Sequence, residues 1–202
     1  MTKPSSETIA QRANGLPKEA ISVLAFWFDE LTEKDWFKKS KQLDDEIRKR
    51  FGELHEQARR CECWHWREAE GAERSALGRL AEIILLDQFA RNLYRDSPHA
   101  FAADPLALAL SQQAVQQQAD QQLEPRLRSF LYMPYMHSES AMIHEEAMKL
   151  FSQPGLESNF KFEKRHKEII DRFGRYPHRN EVLGRKSTDE ELAFLETPGS
   201  SF

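Results

Sequence analysis

Three short stretches of this sequence carry polar side chains that could do chemistry, and each interrupts a helical pattern. The stretches lie near residues 87–92, 134–139 and 166–180. The candidate site residues are Asp87, Gln88, Arg91 and Asn92 in the first, His137 and Glu139 in the second, and His166, Arg175, His178, Arg179 and Asn180 in the third. Arginine side chains match the geometry of carboxylates and phosphates, and histidine exchanges protons near neutral pH. Together these residue types favour the binding of a small anion.

Asp87 lies on the apolar side of a predicted helix. It follows Leu80 by seven residues and Ile84 by three, and Arg91 follows it at i+4, within reach of an ion pair. A carboxylate on a buried face is costly unless it is paired. Two interpretations stay open at this point: a buried structural pair of Asp87 with Arg91, or two residues that line a polar cavity.

The third stretch is predicted to be a turn. Gly174 ends a helix and Pro177 prevents its continuation. Arg175, His178 and Arg179 would therefore lie on a turn, where side chains and free backbone N–H groups can meet a ligand. The segment 161–186 carries nine basic and four acidic residues, which is the asymmetry that an anion site or a solvated helix face would produce.

The histidines and cysteines do not predict a metal site. His137 and His144 are seven residues apart, about 10 Å along a helix, and Cys61 and Cys63 have no second cysteine pair. We therefore expect no metal and no cofactor. A site built from Asp87, His137, Glu139 and His166 on different helices is the alternative. His137 and Glu139 could also serve as the general acid and base of a hydrolase.

The elements that must position these residues are helices. Pro17 can open a helix, the segments 41–60 and 73–94 carry apolar stripes at 3.6-residue spacing, and Ser187 with Glu190 forms a capping-box pattern. No segment alternates as a strand would. The sequence predicts an all-α fold of about eight helices in antiparallel pairs, as in a short solenoid.

Composition limits the class of protein. The chain has 202 residues and a formal net charge of -4, which gives no reason to expect nucleic-acid binding. No apolar run approaches the roughly 20 residues of a membrane span, and the start shows no signal peptide. With two cysteines, these features predict a cytoplasmic protein. We predict a single helical domain over 1–202, with a flexible segment over 1–16.

The three polar stretches also carry a family resemblance. The segments 86–92, 136–139 and 172–180 resemble the bacterial domain-of-unknown-function 924 family, and segments 23–28, 183–185 and 198–202 support it. The resemblance extends from about Ile21 to Phe202. Ala90 stands where that family usually has Pro, and Tyr135 and Tyr176 stand where it usually has Phe. The resemblance implies a tetratricopeptide-like helical fold and no established activity.

The leading functional hypothesis is binding of a phosphate or carboxylate in a polar pocket between helices. Arg91, Arg175 and Arg179 would hold the anion, His137 and His178 would donate or exchange protons, and Asp87 would orient Arg91. The alternative is a module that binds a peptide or protein, which is the usual function of stacked helix pairs. A hydrolase that uses His137 and Glu139 is the third possibility.

Overall fold

The computed structural model describes residues 7–201, and every regular element in that range is helical. The α-helices are α1 (Ile9–Arg12), α2 (Lys18–Ala25), α3 (Glu33–Trp36), α4 (Lys41–Arg59), α5 (Ala72–Ile83), α6 (Ala90–Leu93), α7 (Asp104–Gln116), α8 (Pro125–Met136), α9 (Ala141–Phe151), α10 (Glu157–Phe173) and α11 (Asp189–Leu195). Four 3₁₀ turns lie at Trp64–Glu68, Pro98–Ala100, Ala119–Gln122 and Pro177–Arg179. The all-α prediction is confirmed, with more and shorter helices than the eight expected.

Local sequence sets where the helices begin. Pro17 precedes α2, the Ser40 hydroxyl accepts a hydrogen bond from the Leu43 N–H at the start of α4, and Pro125 is the first residue of α8. The last helix is capped one residue later than predicted, by Thr188 with Glu191. Both registers of this segment fit the capping-box pattern, and the observed one also places Glu191 against Arg175.

Two helices widen into π turns. Helix α2 continues into a π turn at Phe26–Glu30, and α5 continues through a π turn at Ile84–Phe89 into α6. The predicted helix over 73–94 is therefore present, but its centre is not α-helical. π turns are rare and are frequent at functional sites. Asp87 and Gln88 both lie in the second of them.

The two π turns meet in an aromatic core. The Trp27 ring contacts Phe89 and Phe130 edge-on, with ring centroids 5.5 and 5.7 Å apart, and Phe26 contacts Phe89 at 5.9 Å. Trp27 and Phe89 are fully buried. Edge-to-face aromatic pairs in a core hold their elements at a defined spacing. This packing fixes the position of the π turn that carries Asp87.

The C-terminal half stacks successive helices. Helix α8 packs on α7 and α9, and α9 packs on α10. A smaller apolar cluster of Ile169, Ile170 and Tyr176 joins the end of α10 to the turn that follows it. This arrangement brings the end of α8, the π turn and residues 174–185 together.

The N-terminal segment is packed where the structure describes it. Ile9, Ala13 and Leu16 are buried in the main core, and Thr8 caps α1. These three side chains pack on the core, and the flexibility expected for 1–16 stays a prediction; residues 1–6 of that segment lie outside the described residues. Between Glu7 and Ser201, no helix has the length and apolar character needed to cross a membrane.

Candidate functional site

A polar cluster forms where the π turn, the end of α8, the start of α7 and the 3₁₀ turn at Pro177–Arg179 meet. We define the polar cluster as Asp87, Arg91, Asp104, His137 and Arg179. Its members are linked by hydrogen bonds and ion pairs through the two carboxylates. Four of these five residues were predicted as site residues, and Asp104 was not.

Asp87 is the buried anchor of the polar cluster. Its side chain has no exposed surface. One carboxylate oxygen, Oδ1, lies 2.7 Å from Nδ1 of His137 and 3.5 Å from Nη1 of Arg91, and Oδ2 accepts a 2.5 Å hydrogen bond from Gln88. Burial alone would raise the pKa of Asp87, but the interactions with His137 and Arg91 and the hydrogen bond from Gln88 outweigh burial and lower the pKa to about 2. Asp87 is therefore ionised at neutral pH.

Two arginines share the second carboxylate. Arg91 binds Asp104 with two parallel hydrogen bonds of 3.0 Å, the bidentate geometry typical of arginine with carboxylates. Arg179 reaches the same carboxylate with one longer contact of 3.4 Å. The guanidinium of Arg179 lies over the rings of Phe101 and Tyr176, at 4.5 and 4.6 Å. Its position is fixed by aromatic packing more than by Asp104.

Arg179 is the least satisfied member of the polar cluster. Its side chain is 6% exposed, and its Nε atom is buried with no hydrogen-bond partner in the described structure. Burial, and after it the charge of Arg91, lower the pKa of Arg179. Arg91 and His137 keep 23% and 13% of their side-chain surface exposed. The polar cluster is therefore accessible from solvent through Arg91 and His137.

The histidines near the polar cluster are held in their neutral form. Burial lowers the pKa of His166 to about 3 and that of His178 to about 4, and burial with the charge of Arg91 lowers the pKa of His137. The ring of Tyr176 contacts both His166 and His178, at 5.8 and 5.6 Å. Neutral imidazoles can donate from one ring nitrogen and accept at the other.

The neutral histidines predict that the protein loses stability in mild acid. In the unfolded chain, His166 and His178 protonate near pH 6.5. Because their folded pKa values are lower, the unfolded chain binds more protons once the pH falls below about 6.5, and stability falls with it until the folded pKa values are reached. Each histidine contributes at most about 1.4 kcal/mol per pH unit. Urea unfolding should show a loss of about 2–4 kcal/mol between about pH 7 and about pH 5.

A histidine outside this group provides the control for that measurement. His65 is exposed on the 3₁₀ turn at Trp64–Glu68, and His65→Gln serves as the control variant. His178→Gln should flatten the dependence, because it removes one of the buried histidines. A free energy of unfolding that stays constant between about pH 7 and about pH 5 would contradict the burial of these histidines.

Glu139 is not a partner of His137. Its carboxylate accepts two hydrogen bonds from Arg185, at 2.6 and 2.9 Å, and one of 2.7 Å from the Tyr176 N–H. His137 is paired with Asp87 instead. The structure therefore does not bring together the general acid and base expected from sequence, because Glu139 is committed to fixing the turn after α10.

Arg175 lies away from the polar cluster. It binds Glu191 of α11 through Nε and Nη2, at 2.7 and 2.8 Å, and donates to the Lys186 carbonyl. Glu191 is almost fully buried, so the pair fastens α11 to the turn. The expected convergence of Arg175 with Arg91 and Arg179 is not observed, because the two arginines of the turn point to different neighbours.

The remaining predicted residues have separate positions. Asn92 donates to Asp44 at 2.8 Å on another side of the helix, where Arg95 binds the same carboxylate. Asn180 accepts from Arg185 and donates to Ser187. Gln88 contacts Asp87 and the Met133 sulfur. These side chains support the fold around the polar cluster but do not all face one cavity.

His166 lines a cavity of its own. The cavity has a volume of about 130 Å³ and is bounded by α10 and the C-terminal segment. Its lining residues are Phe162, Arg165, His166, Ile169, Gly199 and Ser201. His166 Nδ1 lies 2.8 Å from the Phe162 carbonyl of the preceding turn. Among the predicted site residues, only His166 borders this cavity.

Three residues of the site region were missed in the sequence. Asp104 has the pattern of a helix start, with Pro105 after it, and indeed begins α7. Tyr176 and Arg185 were seen only as parts of motifs, although Tyr176 is fully buried and Arg185 binds Glu139. In residues 7–201, no group of three or more His, Cys, Asp or Glu side chains is arranged to hold a metal ion.

Comparison with known proteins gives two matches. The sequence profile of a family described as "Bacterial protein of unknown function (DUF924)" matches residues 23–199. The solved structure of a protein of unknown function from Agrobacterium tumefaciens is similar, with a TM-score of 0.80, 35% sequence identity, and coverage of 88% of this chain and 96% of that one. No curated protein matches. The matched range includes every residue of the polar cluster.

Proposed function

Because the chain belongs to the bacterial DUF924 family, whose function is unknown, we propose its function from the polar cluster itself. The polar cluster binds a small anion, a phosphate or a carboxylate. Arg91 and Arg179 supply the positive charge, and His137 supplies a further polar contact. Asp87 and Asp104 hold these three side chains in place.

Arg179 is the observation that carries this proposal. A buried guanidinium is costly unless its donors are paired. Here the side chain is 6% exposed, its closest carboxylate contact is 3.4 Å, and its Nε has no hydrogen-bond partner in the described structure. An anion placed beside Arg179 would supply the acceptors that the protein does not.

The surroundings of Arg179 support the same conclusion. The guanidinium lies over the rings of both Phe101 and Tyr176, which hold it in place, so little side-chain entropy would be lost on binding. Arg91, which shares Asp104 with Arg179, is partly exposed. A ligand that approaches from solvent can therefore contact Arg91 first and reach Arg179 behind it.

Inorganic phosphate should stabilise the protein. A ligand that binds only the folded state adds RT ln(1 + [L]/Kd), so phosphate at about 100 times its Kd should add roughly 2.7 kcal/mol. Arg179→Met should abolish this gain, because methionine keeps the packing on the two rings but removes the charge. Thermal unfolding at several phosphate concentrations and constant ionic strength measures the effect.

Arg172 provides a matched control for Arg179. It also lies over two aromatic rings, those of Phe173 and Phe194, at 4.7 and 5.9 Å, but its side chain is 52% exposed. Arg172→Met should leave the phosphate response intact. An equal response in the two variants would contradict the anion site. No response in the parent would also contradict it.

A further inference from the structure

The hydrogen bond between Asp87 and His137 fixes which nitrogen of His137 carries the proton. An ionised carboxylate can only accept hydrogen bonds. Since Asp87 Oδ1 lies 2.7 Å from Nδ1, this nitrogen must donate. The other oxygen, Oδ2, already accepts from Gln88, and Arg91 lies 3.5 Å from Oδ1. The hydrogen bonds from His137 and Gln88 and the nearby charge of Arg91 keep Asp87 a carboxylate.

The second ring nitrogen of His137 is therefore an acceptor. A neutral imidazole has one N–H, so an Nδ1–H leaves Nε2 with a lone pair. Within residues 7–201, no protein donor is bonded to this Nε2, whereas His137 keeps 13% of its side chain exposed. His137 and Arg91 contact the same oxygen of Asp87 and are both partly exposed, so His137 offers an acceptor in the part of the polar cluster that is open to solvent.

We infer that the polar cluster selects anions that also carry an O–H group, an inference that rests on the anion site proposed above. Arg91 and Arg179 meet the negative charge, and His137 Nε2 accepts the O–H. Hydrogen phosphate, which keeps an O–H at neutral pH, fits both requirements, as does a singly protonated phosphate ester. Sulfate has the same shape but no proton, so its oxygen would face the lone pair of Nε2.

The inference predicts a preference between two anions of the same shape. Phosphate should bind the full-length protein at least about tenfold more tightly than sulfate at neutral pH and equal ionic strength, a difference of about 1.4 kcal/mol. A binding site discriminates against a close analogue when that analogue leaves one of the site's polar groups without a hydrogen-bond partner. Sulfate would leave His137 Nε2 in this way. Isothermal titration calorimetry with sodium phosphate and sodium sulfate measures the ratio.

Asp87→Asn tests the origin of the preference. With Gln88 Nε2–H facing the retained carbonyl, the new amide N–H faces His137 and moves the imidazole proton to Nε2, as in catalytic triads whose aspartate is replaced by asparagine. Nε2 would then donate, so the ratio of phosphate to sulfate affinity should fall to about one. Asp171→Asn, a change of an exposed carboxylate on α10, is the control and should keep the ratio.

The possible results distinguish failure of this inference from failure of the proposed anion site. Equal affinities for phosphate and sulfate in the parent would overturn the inference and leave the anion site standing. Binding of neither anion would overturn both. The His137 tautomer, read from its nitrogen chemical shifts in the unliganded parent, is a second measurement that also serves if Asp87→Asn does not fold. A proton on Nε2 would overturn the inference, and a proton on Nδ1 with phosphate preferred supports it.

Discussion

Replacing Asp87 with alanine is expected to lower the free energy of unfolding by about 3 kcal/mol or more. The carboxylate is fully buried and accepts hydrogen bonds from His137 and Gln88. Removing the carboxylate leaves these donors without an acceptor. It also leaves Arg91 with Asp104 as its remaining carboxylate partner. Urea unfolding at neutral pH measures the change, with thermal melting as a second readout.

An exposed aspartate shows how much of that loss is due to burial. Asp171 pairs with Lys167 at 2.7 Å on the surface of α10, with half of its side chain exposed. Surface ion pairs of this kind contribute about 0–1 kcal/mol, so Asp171→Ala should have a small effect. If Asp87→Ala melts within a degree or two of the parent, Asp87 does not anchor the polar cluster.

The second large effect is expected from a single methyl group. Gly78 lies in α5, where it faces the 3₁₀ turn at Trp64–Glu68, and a Cβ built on it would lie 2.0 Å from the carbonyl oxygen of Trp66. The obstacle is backbone and cannot rotate away, so the helix and the turn must separate. Gly78→Ala should therefore destabilise the protein by about 3 kcal/mol, since overpacking of a close contact costs this much. Urea unfolding measures it.

The same substitution elsewhere should act in the opposite direction. Gly52 lies in α4, and nothing approaches its Cβ position within 4 Å. Alanine is favoured over glycine in a helix interior by up to about 1 kcal/mol, so Gly52→Ala should raise stability. Similar effects of the two substitutions would mean that α5 and the 3₁₀ turn do not make the close contact described.

The fold class could be predicted because helices leave a periodic trace. The stripe over 41–60 matches α4 (Lys41–Arg59) to within one residue, since the apolar face of a long amphipathic helix must repeat every 3.6 residues. The π turn at Ile84–Phe89 leaves no such trace. All six residues of this π turn are buried. The segment therefore has no polar face, and the sequence cannot show where the 3.6-residue repeat gives way to the wider turn.

The candidate site could be predicted in part. The i+4 spacing of Asp87 and Arg91 indicated an ion pair, and the two side chains are indeed close, at 3.5 Å. The main partner of Arg91 is Asp104, thirteen residues further along, whose only local signal was that of a helix start. Arg175 and Arg179 could not be distinguished, because the side on which each residue of a turn projects depends on what packs there.

The surroundings of Asp87 bear on both interpretations that the sequence left open. The carboxylate itself is wholly buried and paired, as a structural residue would be. Its partners Arg91 and His137 are partly exposed, as residues that face a ligand would be. A buried anchor with exposed partners is the usual construction of a preorganised site, in which a fixed inner group orients the groups that meet the ligand.

The π turn at Ile84–Phe89 makes this segment sensitive to chain length as well as to residue type. A π turn closes i→i+5 hydrogen bonds, one residue more than the i→i+4 bonds of an α-helix, so deleting one residue here can return the backbone to regular α-helix while α6 keeps nearly its direction. An added residue that is not absorbed would instead turn α6 by about 100° and move Arg91 away from Asp104. The segment 84–89 should therefore accept a one-residue deletion more readily than an insertion.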